Sequence, residues 1–262
     1  MERKIHLPFI SFPARIDNIA LMKTLTAISV LCMLYIFSAK WHAIFLMADA
    51  MDKQLMILLN FKGGAFVDRF LHGYSQKIVW APLVAVALAT IFANQQGPVR
   101  RKLLVVLAVV LMVVVLDQLS SSVIKPLACR LRPSHTPIVS GMLHYVNDYH
   151  GGRFGFVSGH ATNTVGIAVF LAMMFRDRFT RWSLAVFALL MCYSRIYLGV
   201  HYPGDIICGA LLGVFVAWLT QTLLRRYNLT FATRKRPWVL LATYYLTVLA
   251  LLIFAGPFWG TT

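Results

Sequence analysis

Charged residues are scarce in this sequence. Only 13% of the 262 residues are charged and 59% are hydrophobic, whereas a soluble domain has about 25% charged residues. Because a soluble surface of this size needs more charge, the composition argues against a soluble globular domain. The apolar residues come in long runs, which predicts a membrane protein with one helical domain.

Acidic residues are the scarcest charged type, 9 against 25 basic residues, and the formal net charge is +16. So basic a chain is typical of nucleic-acid-binding proteins. In membrane proteins, however, Lys and Arg concentrate in cytoplasmic loops. With the N-terminus placed inside, the short inner connections are much denser in basic residues than the longer outer ones. Topology therefore explains the charge, and we expect no nucleic-acid partner.

Cysteine is also rare, and its pattern carries no recognisable chemistry. Three of the four cysteines fall inside apolar runs. No pair suggests a disulfide framework, and no C-x-x-C motif suggests zinc. We assign to packing the four residues Cys32, Cys129, Cys192 and Cys208.

The apolar runs predict an all-α fold, a polytopic bundle of transmembrane helices. A helix needs about 17–25 residues to cross a bilayer, and the candidate spans, two of them short, are 24–46, 78–93, 103–123, 159–175, 182–198, 206–224 and 239–254. Residues 1–23 are predicted to lie on the cytoplasmic membrane surface. The predicted transmembrane core is 24–225, and 226–262 hold a basic loop and an extra span. Residues 51–60 are expected to form an interfacial helix.

Three polar clusters lie at the outer ends of successive predicted spans. If adjacent helices bundle, these clusters converge on one side of the membrane. Arg can donate two hydrogen bonds to phosphate oxygens, and Lys adds a point charge. Backbone N–H groups at a helix start also favour an anion. We therefore predict a phosphate site formed by Lys125, Arg132, Ser158, Gly159 and Arg195.

Two histidines and one carboxylate complete the predicted chemistry. His201 and Asp205 are four residues apart and share a face on a helical turn. Asp205 can accept a hydrogen bond from one ring nitrogen of His201, which leaves the other nitrogen free to attack phosphorus. His160 can protonate the leaving oxygen as general acid. The clusters lack a carboxylate-rich ligand set, so we expect neither a metal nor another cofactor.

The spacing of these residues resembles the phosphatidic acid phosphatase type 2 family, which is related to vanadium haloperoxidases. The family motifs K-x6-R-P, P-S-G-H and S-R-x5-H-x3-D correspond to segments 125–133, 157–160 and 194–205. Val157 stands where the family usually has proline. The resemblance implies a six-helix core, a phosphohistidine intermediate on His201 and hydrolysis of that intermediate by water. The seventh span goes beyond that core.

The resemblance also implies a lipid substrate held in the bilayer. Bacterial members of this size act on undecaprenyl pyrophosphate, lipid A phosphates, phosphatidylglycerophosphate or phosphatidic acid, and we favour the first two. A phosphotransferase using the same site stays open, as does an anion transporter. Transport is less favoured because transport sites lie near the membrane midplane. We expect a bacterial inner membrane, with the site facing the periplasm and the N-terminus in the cytoplasm; the oligomeric state stays open.

Three further features have no settled role in the sequence. Arg130 occupies no motif position, so a surface or lipid-headgroup role and a substrate contact are both open. Asp117 lies within a predicted span, where an ionisable group usually marks function or a buried partner. Whether it pairs with a basic residue of the site is left open. The outer loop 134–157 is either an ordinary polar connection or a roof over the phosphate site.

Overall fold

The computed structural model describes residues 18–256, and most side chains before residue 42 also lie outside this description. The predicted surface segment 1–23 is therefore almost entirely outside the described residues. The contacts divide the chain into two units between Ala50 and Met51. The packing and the site described below belong to the unit that begins at Met51.

The described part of the chain is helical, and its only strand-like pairings are two isolated bridges. This confirms the predicted all-α class. Short 3-10 or π turns connect several of the helices. The α-helices are α1 Asn18–Leu59, α2 Ala65–Ser75, α3 Ala81–Asn94, α4 Val99–Gln118, α5 Lys125–Ala128, α6 Gly159–Met174, α7 Arg178–Tyr197, α8 Pro203–Arg226 and α9 Trp238–Ala255.

Four helical stretches of the described residues are long and apolar enough to cross a membrane: Lys77–Asn94, Val99–Ala128, Pro203–Arg226 and Trp238–Ala255. They match the predicted spans at 78–93, 103–123, 206–224 and 239–254. The second stretch ends later than predicted, because a π turn at Leu119–Ile124 carries α4 into α5. Helix α6 is apolar but shorter. Helix α7 is not among the four, and three arginines make it less apolar.

The structure differs from the expected separate helix at 51–60. These residues belong to α1 as far as Leu59. The stretch from Asn18 to Leu59 contains neither glycine nor proline. No residue that commonly breaks a helix therefore separates the predicted first span from the segment after it.

Local chemistry sets the helix starts that frame the site. The Ser158 side chain caps α6 by accepting a hydrogen bond from the Ala161 N–H at 3.4 Å. Pro203 occupies the first turn of α8, where its missing N–H leaves no backbone bond unmade. The Ser158 N–H donates to the backbone carbonyl of Asp205 at 3.0 Å. The N-termini of α6 and α8 are therefore joined directly.

Helices α6 and α8 pack so closely that their backbones touch. A Cβ atom added at Gly213 would lie 2.5 Å from the Thr162 carbonyl oxygen and 2.9 Å from the Gly166 nitrogen. One added at Gly209 would lie 2.8 Å from the Ser158 carbonyl oxygen. Gly209 and Gly213 form a G-x-x-x-G motif, which permits close helix approach within membranes. This contact fixes the start of α6 against α8.

We expect Gly213→Ala to destabilise the protein by about 1–3 kcal/mol, because the added methyl group meets backbone rather than a side chain that can move. Thermal unfolding of the purified protein in detergent measures the effect. Gly141→Ala is the matched control, because a Cβ there would meet nothing within 4 Å. Equal melting temperatures for the two variants would contradict the close contact.

Candidate active site

The three predicted clusters come together around His201. Its side chain is 2% exposed, and its Nε2 lies 3.2 Å from Nη1 of Arg132. A Cβ at Gly159 would be 3.8 Å from the Nζ of Lys125, so the first cluster also reaches the start of α6. Burial and the charges of Arg132, Arg195 and Lys125 lower the pKa of His201 well below its usual value. The imidazole is therefore neutral at neutral pH.

The contact with Arg132 indicates which nitrogen of His201 carries the proton. A guanidinium can only donate hydrogen bonds, so Nε2 must be the acceptor and Nδ1 must hold the proton. Nδ1 faces Asp205, with its nearest carboxylate oxygen at 3.5 Å. The Nε2 lone pair is thus directed toward Arg132.

Asp205 lies where a partner for His201 was predicted, but with different geometry. Its 3.5 Å distance to Nδ1 is an ion-pair distance rather than a hydrogen bond. One carboxylate oxygen accepts from Arg130 at 2.8 Å, and the other accepts from the Tyr202 N–H at 3.1 Å. The two residues also do not share a helical turn, because α8 starts at Pro203 and leaves His201 outside it. Such catalytic contacts often tighten when substrate binds.

Arg130 is the site contact that the motif spacing did not predict. It bridges two carboxylates, donating to Asp205 at 2.8 Å and to Asp52 at 2.8 Å. Its guanidinium also lies over the Tyr202 ring, 4.4 Å from the centroid. Asp52, near the end of α1, accepts in addition from the Gly204 N–H at 2.7 Å. Neither of the two roles left open describes these contacts, in which Arg130 is the cation that neutralises Asp205.

Arg195 is almost fully buried, with 2% of its surface exposed. Its Nη2 donates to the Tyr149 hydroxyl at 3.2 Å. Among the described residues no acceptor faces its buried Nε. A buried guanidinium N–H without an acceptor is costly, so this group suits an anionic oxygen.

The loop 134–157 contacts two of the predicted site cations, which favours the interpretation that it covers the site. Besides Tyr149, its Phe154 carbonyl accepts from Nε of Arg132 at 3.1 Å. The loop is also held on its other side by His144. Its ring nitrogen Nε2 lies 2.9 Å from a carboxylate oxygen of Asp68, and its backbone N–H donates to the side-chain oxygen of Asn60 at 2.7 Å. The loop is therefore held at both its site side and its far side.

Asp117 does have partners, but they are not the predicted site cations. It lies 3.8 Å from the Nζ of Lys77 and accepts from the amide of Asn163 at 3.1 Å. Lys77 precedes α3, far from the motif segments in sequence, so the spacing gave no sign of it. His160 lines the same cavity as this group, described below.

The charges of this arrangement suit a phosphate ligand. No group of three or more His, Cys, Asp or Glu side chains among the described residues could hold a metal ion. The site instead combines three cations with the capped N-terminus of α6. Such a set can stabilise charge on phosphate oxygens during transfer to a nucleophile, and His201 provides a neutral, directed nitrogen lone pair.

Comparison with known proteins gives a consistent result. The model of the PAP2 superfamily matches residues 101–229. A lipid A 4'-phosphatase of Bacteroides thetaiotaomicron is 38% identical over 170 residues, which cover 64% of this chain and 74% of that protein. A lipid A 4'-phosphatase of Porphyromonas gingivalis is also 38% identical, over 63% of this chain and 69% of that protein.

A solved structure supports the fold alone. It is the crystal structure of a transmembrane PAP2-type phosphatidylglycerolphosphate phosphatase from Bacillus subtilis. The likeness covers 69% of this chain and 87% of that one, with a TM-score of 0.52 and 22% identity. The predicted spans and these likenesses together make the chain an integral membrane protein.

We expect Arg130→Met to lower the free energy of unfolding by about 3–5 kcal/mol, because it leaves two carboxylates, one of them fully buried, without their cation. In a double-mutant cycle, Asp52→Asn should cost less in the Arg130→Met background than alone. Thermal unfolding in detergent gives both values. Arg153→Met is the matched control, since Arg153 is exposed and stacks on Phe154. If Arg153→Met lowers the free energy of unfolding as much as Arg130→Met does, the bridge between Arg130 and the two carboxylates is not what stabilises the protein.

Proposed function

We propose that this chain, which belongs to the PAP2 superfamily, is a membrane phosphatase that hydrolyses a lipid phosphate or pyrophosphate through a phosphohistidine. One observation carries the proposal: Nε2 of His201 is a hydrogen-bond acceptor directed at Arg132, one of the cations that would bind phosphate. The N–H groups of Ser158 and Gly159 belong to the same region, at the start of α6.

The first step transfers the phosphoryl group to the protein. Lys125, Arg132 and Arg195 hold the phosphate oxygens, and Nε2 of His201 attacks phosphorus as the bond to the lipid oxygen breaks. The imidazole becomes positively charged, and Asp205 stabilises that charge through Nδ1–H. His160 gives its proton to the departing lipid oxygen.

The second step returns the protein to its starting state. Water attacks phosphorus, the phosphorus–nitrogen bond breaks and inorganic phosphate leaves. His160, which gave up its proton in the first step, accepts one from the attacking water. The two steps consume one water and release one phosphate, and they require no oxidant or metal.

Lipid A phosphate is the substrate that the relatives favour. Two relatives at 38% identity are named lipid A 4'-phosphatases. The phosphate-release test below also includes three other lipids: undecaprenyl pyrophosphate, phosphatidylglycerophosphate and phosphatidic acid. The density of basic residues in the short connections supports an N-terminus in the cytoplasm, and hence a site facing the periplasm of a bacterial inner membrane.

Purified wild-type protein should release phosphate from at least one of these four lipids in the presence of chelator. His201→Ala should lower the release by about a thousandfold or more, because it removes the nucleophile. His135→Ala, which changes an exposed histidine of the outer loop, is the control and should retain activity. Full activity in His201→Ala would overturn the mechanism. Recovery of the phosphate on a second lipid would identify a phosphotransferase instead.

The pH profile tests the neutral state of His201. Its lowered pKa means that the nucleophile stays unprotonated as pH falls through about 6.5, the ordinary histidine value. The acid limb of kcat/KM should therefore lie well below that pH. Arg132→Gln removes one of the charges that lower this pKa, so its acid limb should move to higher pH. Arg132→Lys should leave it in place. A wild-type limb centred near 6.5 would contradict this account.

A further inference from the structure

His160 lines a cavity of about 350 Å³ that runs along α6. Asn163, Ile167 and Leu171 follow His160 on its wall, at the three- and four-residue spacing of one helix face. From His160 to Leu171 the helix rises about 16 Å. This is about half of the ~30 Å hydrocarbon core of a bilayer, which is the depth of one leaflet.

The cavity is polar at one end and apolar along its length. Of its lining residues, those that carry charge stand at the His160 end, where Lys77 lies 3.8 Å from Asp117. Further along, the walls are mainly aliphatic and aromatic, as at Leu184 and Phe187. The hydroxyl of Ser183 is turned back to the Phe179 carbonyl at 2.9 Å. The gradient matches a lipid, with its charged head at one end and its hydrocarbon beyond.

We propose that this cavity, here called the chain chamber, holds one hydrocarbon chain of the substrate lipid and that α9 selects the length of that chain. The inference rests on the proposed function. Of the eight residues proposed for the site, His160 is the one that lines the chamber. In the mechanism above, His160 protonates the lipid oxygen of the leaving group. The lipid portion therefore starts where the chamber starts.

Helix α9 supplies the wall that gives the chamber its selectivity. Leu240, Leu241 and Tyr244 line the chamber and are 3%, 4% and 6% exposed. The PAP2 model ends at residue 229, so this wall comes from beyond the matched segment. The 3-10 turn before α3 adds Trp80 to the lining, and α3 adds Ala87. A chain in the chamber would thus be enclosed between the matched segment and an element outside it.

Leu241→Trp tests the chamber by filling it from α9, and Leu246→Trp is the matched control on the same helix, at a position 64% exposed. The substrate is whichever panel lipid the wild type hydrolyses fastest, made with long and short chains; for phosphatidic acid these are dipalmitoyl and dihexanoyl. We expect Leu241→Trp to lower kcat/KM for the long-chain form by about tenfold or more and to change the short-chain value less than about twofold. Leu246→Trp should change neither.

Photo-cross-linking gives a second measurement that does not depend on turnover. A benzophenone amino acid replaces Leu241, or Leu246 as control, in the His201→Ala background. The radiolabelled long-chain form of the same substrate lipid is added in mixed micelles of detergent and phosphatidylcholine. Labelling at position 241 should fall when the same lipid is added unlabelled in excess. Labelling that the unlabelled lipid does not displace would be nonspecific and would overturn the proposal.

The outcomes separate the chamber from the function on which it rests. If the wild type releases no phosphate from any panel lipid, the proposed function fails, whatever the cross-linking shows. If the wild type is active but Leu241→Trp matches Leu246→Trp at both chain lengths, the chamber is wrong and the function stands. If Leu241→Trp loses both activities equally, displaceable labelling at position 241 supports the chamber, and its absence overturns it.

Discussion

The site depends on neutralising one carboxylate that has no contact with solvent. Asp205 is 0% exposed, and burying a lone charge is costly unless it is paired and hydrogen-bonded. Arg130 provides the pairing and is itself balanced by Asp52. These three side chains connect the end of α1, the segment after α5 and the start of α8. Once they are in place, the position of His201 beside Asp205 follows.

The close contact of α6 with α8 positions the backbone of the site, as the paired charges position its side chains. Because glycines let the helices touch, the Ser158 N–H reaches the Asp205 carbonyl. The helix start that favours an anion is thereby brought to the segment that carries His201. The paired side-chain charges and the backbone contact therefore both fix the position of the segment where α8 begins. The loop 134–157 then covers the cations from the other side through Tyr149 and Phe154.

Motif spacing predicted most of the site, because each motif is local and its residues follow a helix start or end. Four of the seven apolar runs likewise match stretches of the described residues that are long and apolar enough to cross a membrane. The sequence could not predict the bridge of Arg130 to Asp52, since the two are 78 residues apart and no periodicity links them. A pairing of Asp117 with a site cation was left open by the sequence, and its direct contacts are with Lys77 and Asn163. Such pairings are set by how helices assemble in space, which periodicity along one chain does not encode.

Helix α9 packs against α2 and α3 and contributes none of the eight residues proposed for phosphate chemistry. A lineage could therefore accumulate changes along α9 without altering the groups that would perform catalysis. The α6–α8 contact has no such freedom, because any side chain larger than hydrogen at Gly213 meets backbone. The molecule thus separates a part that can diverge from a part that evolution must hold nearly constant.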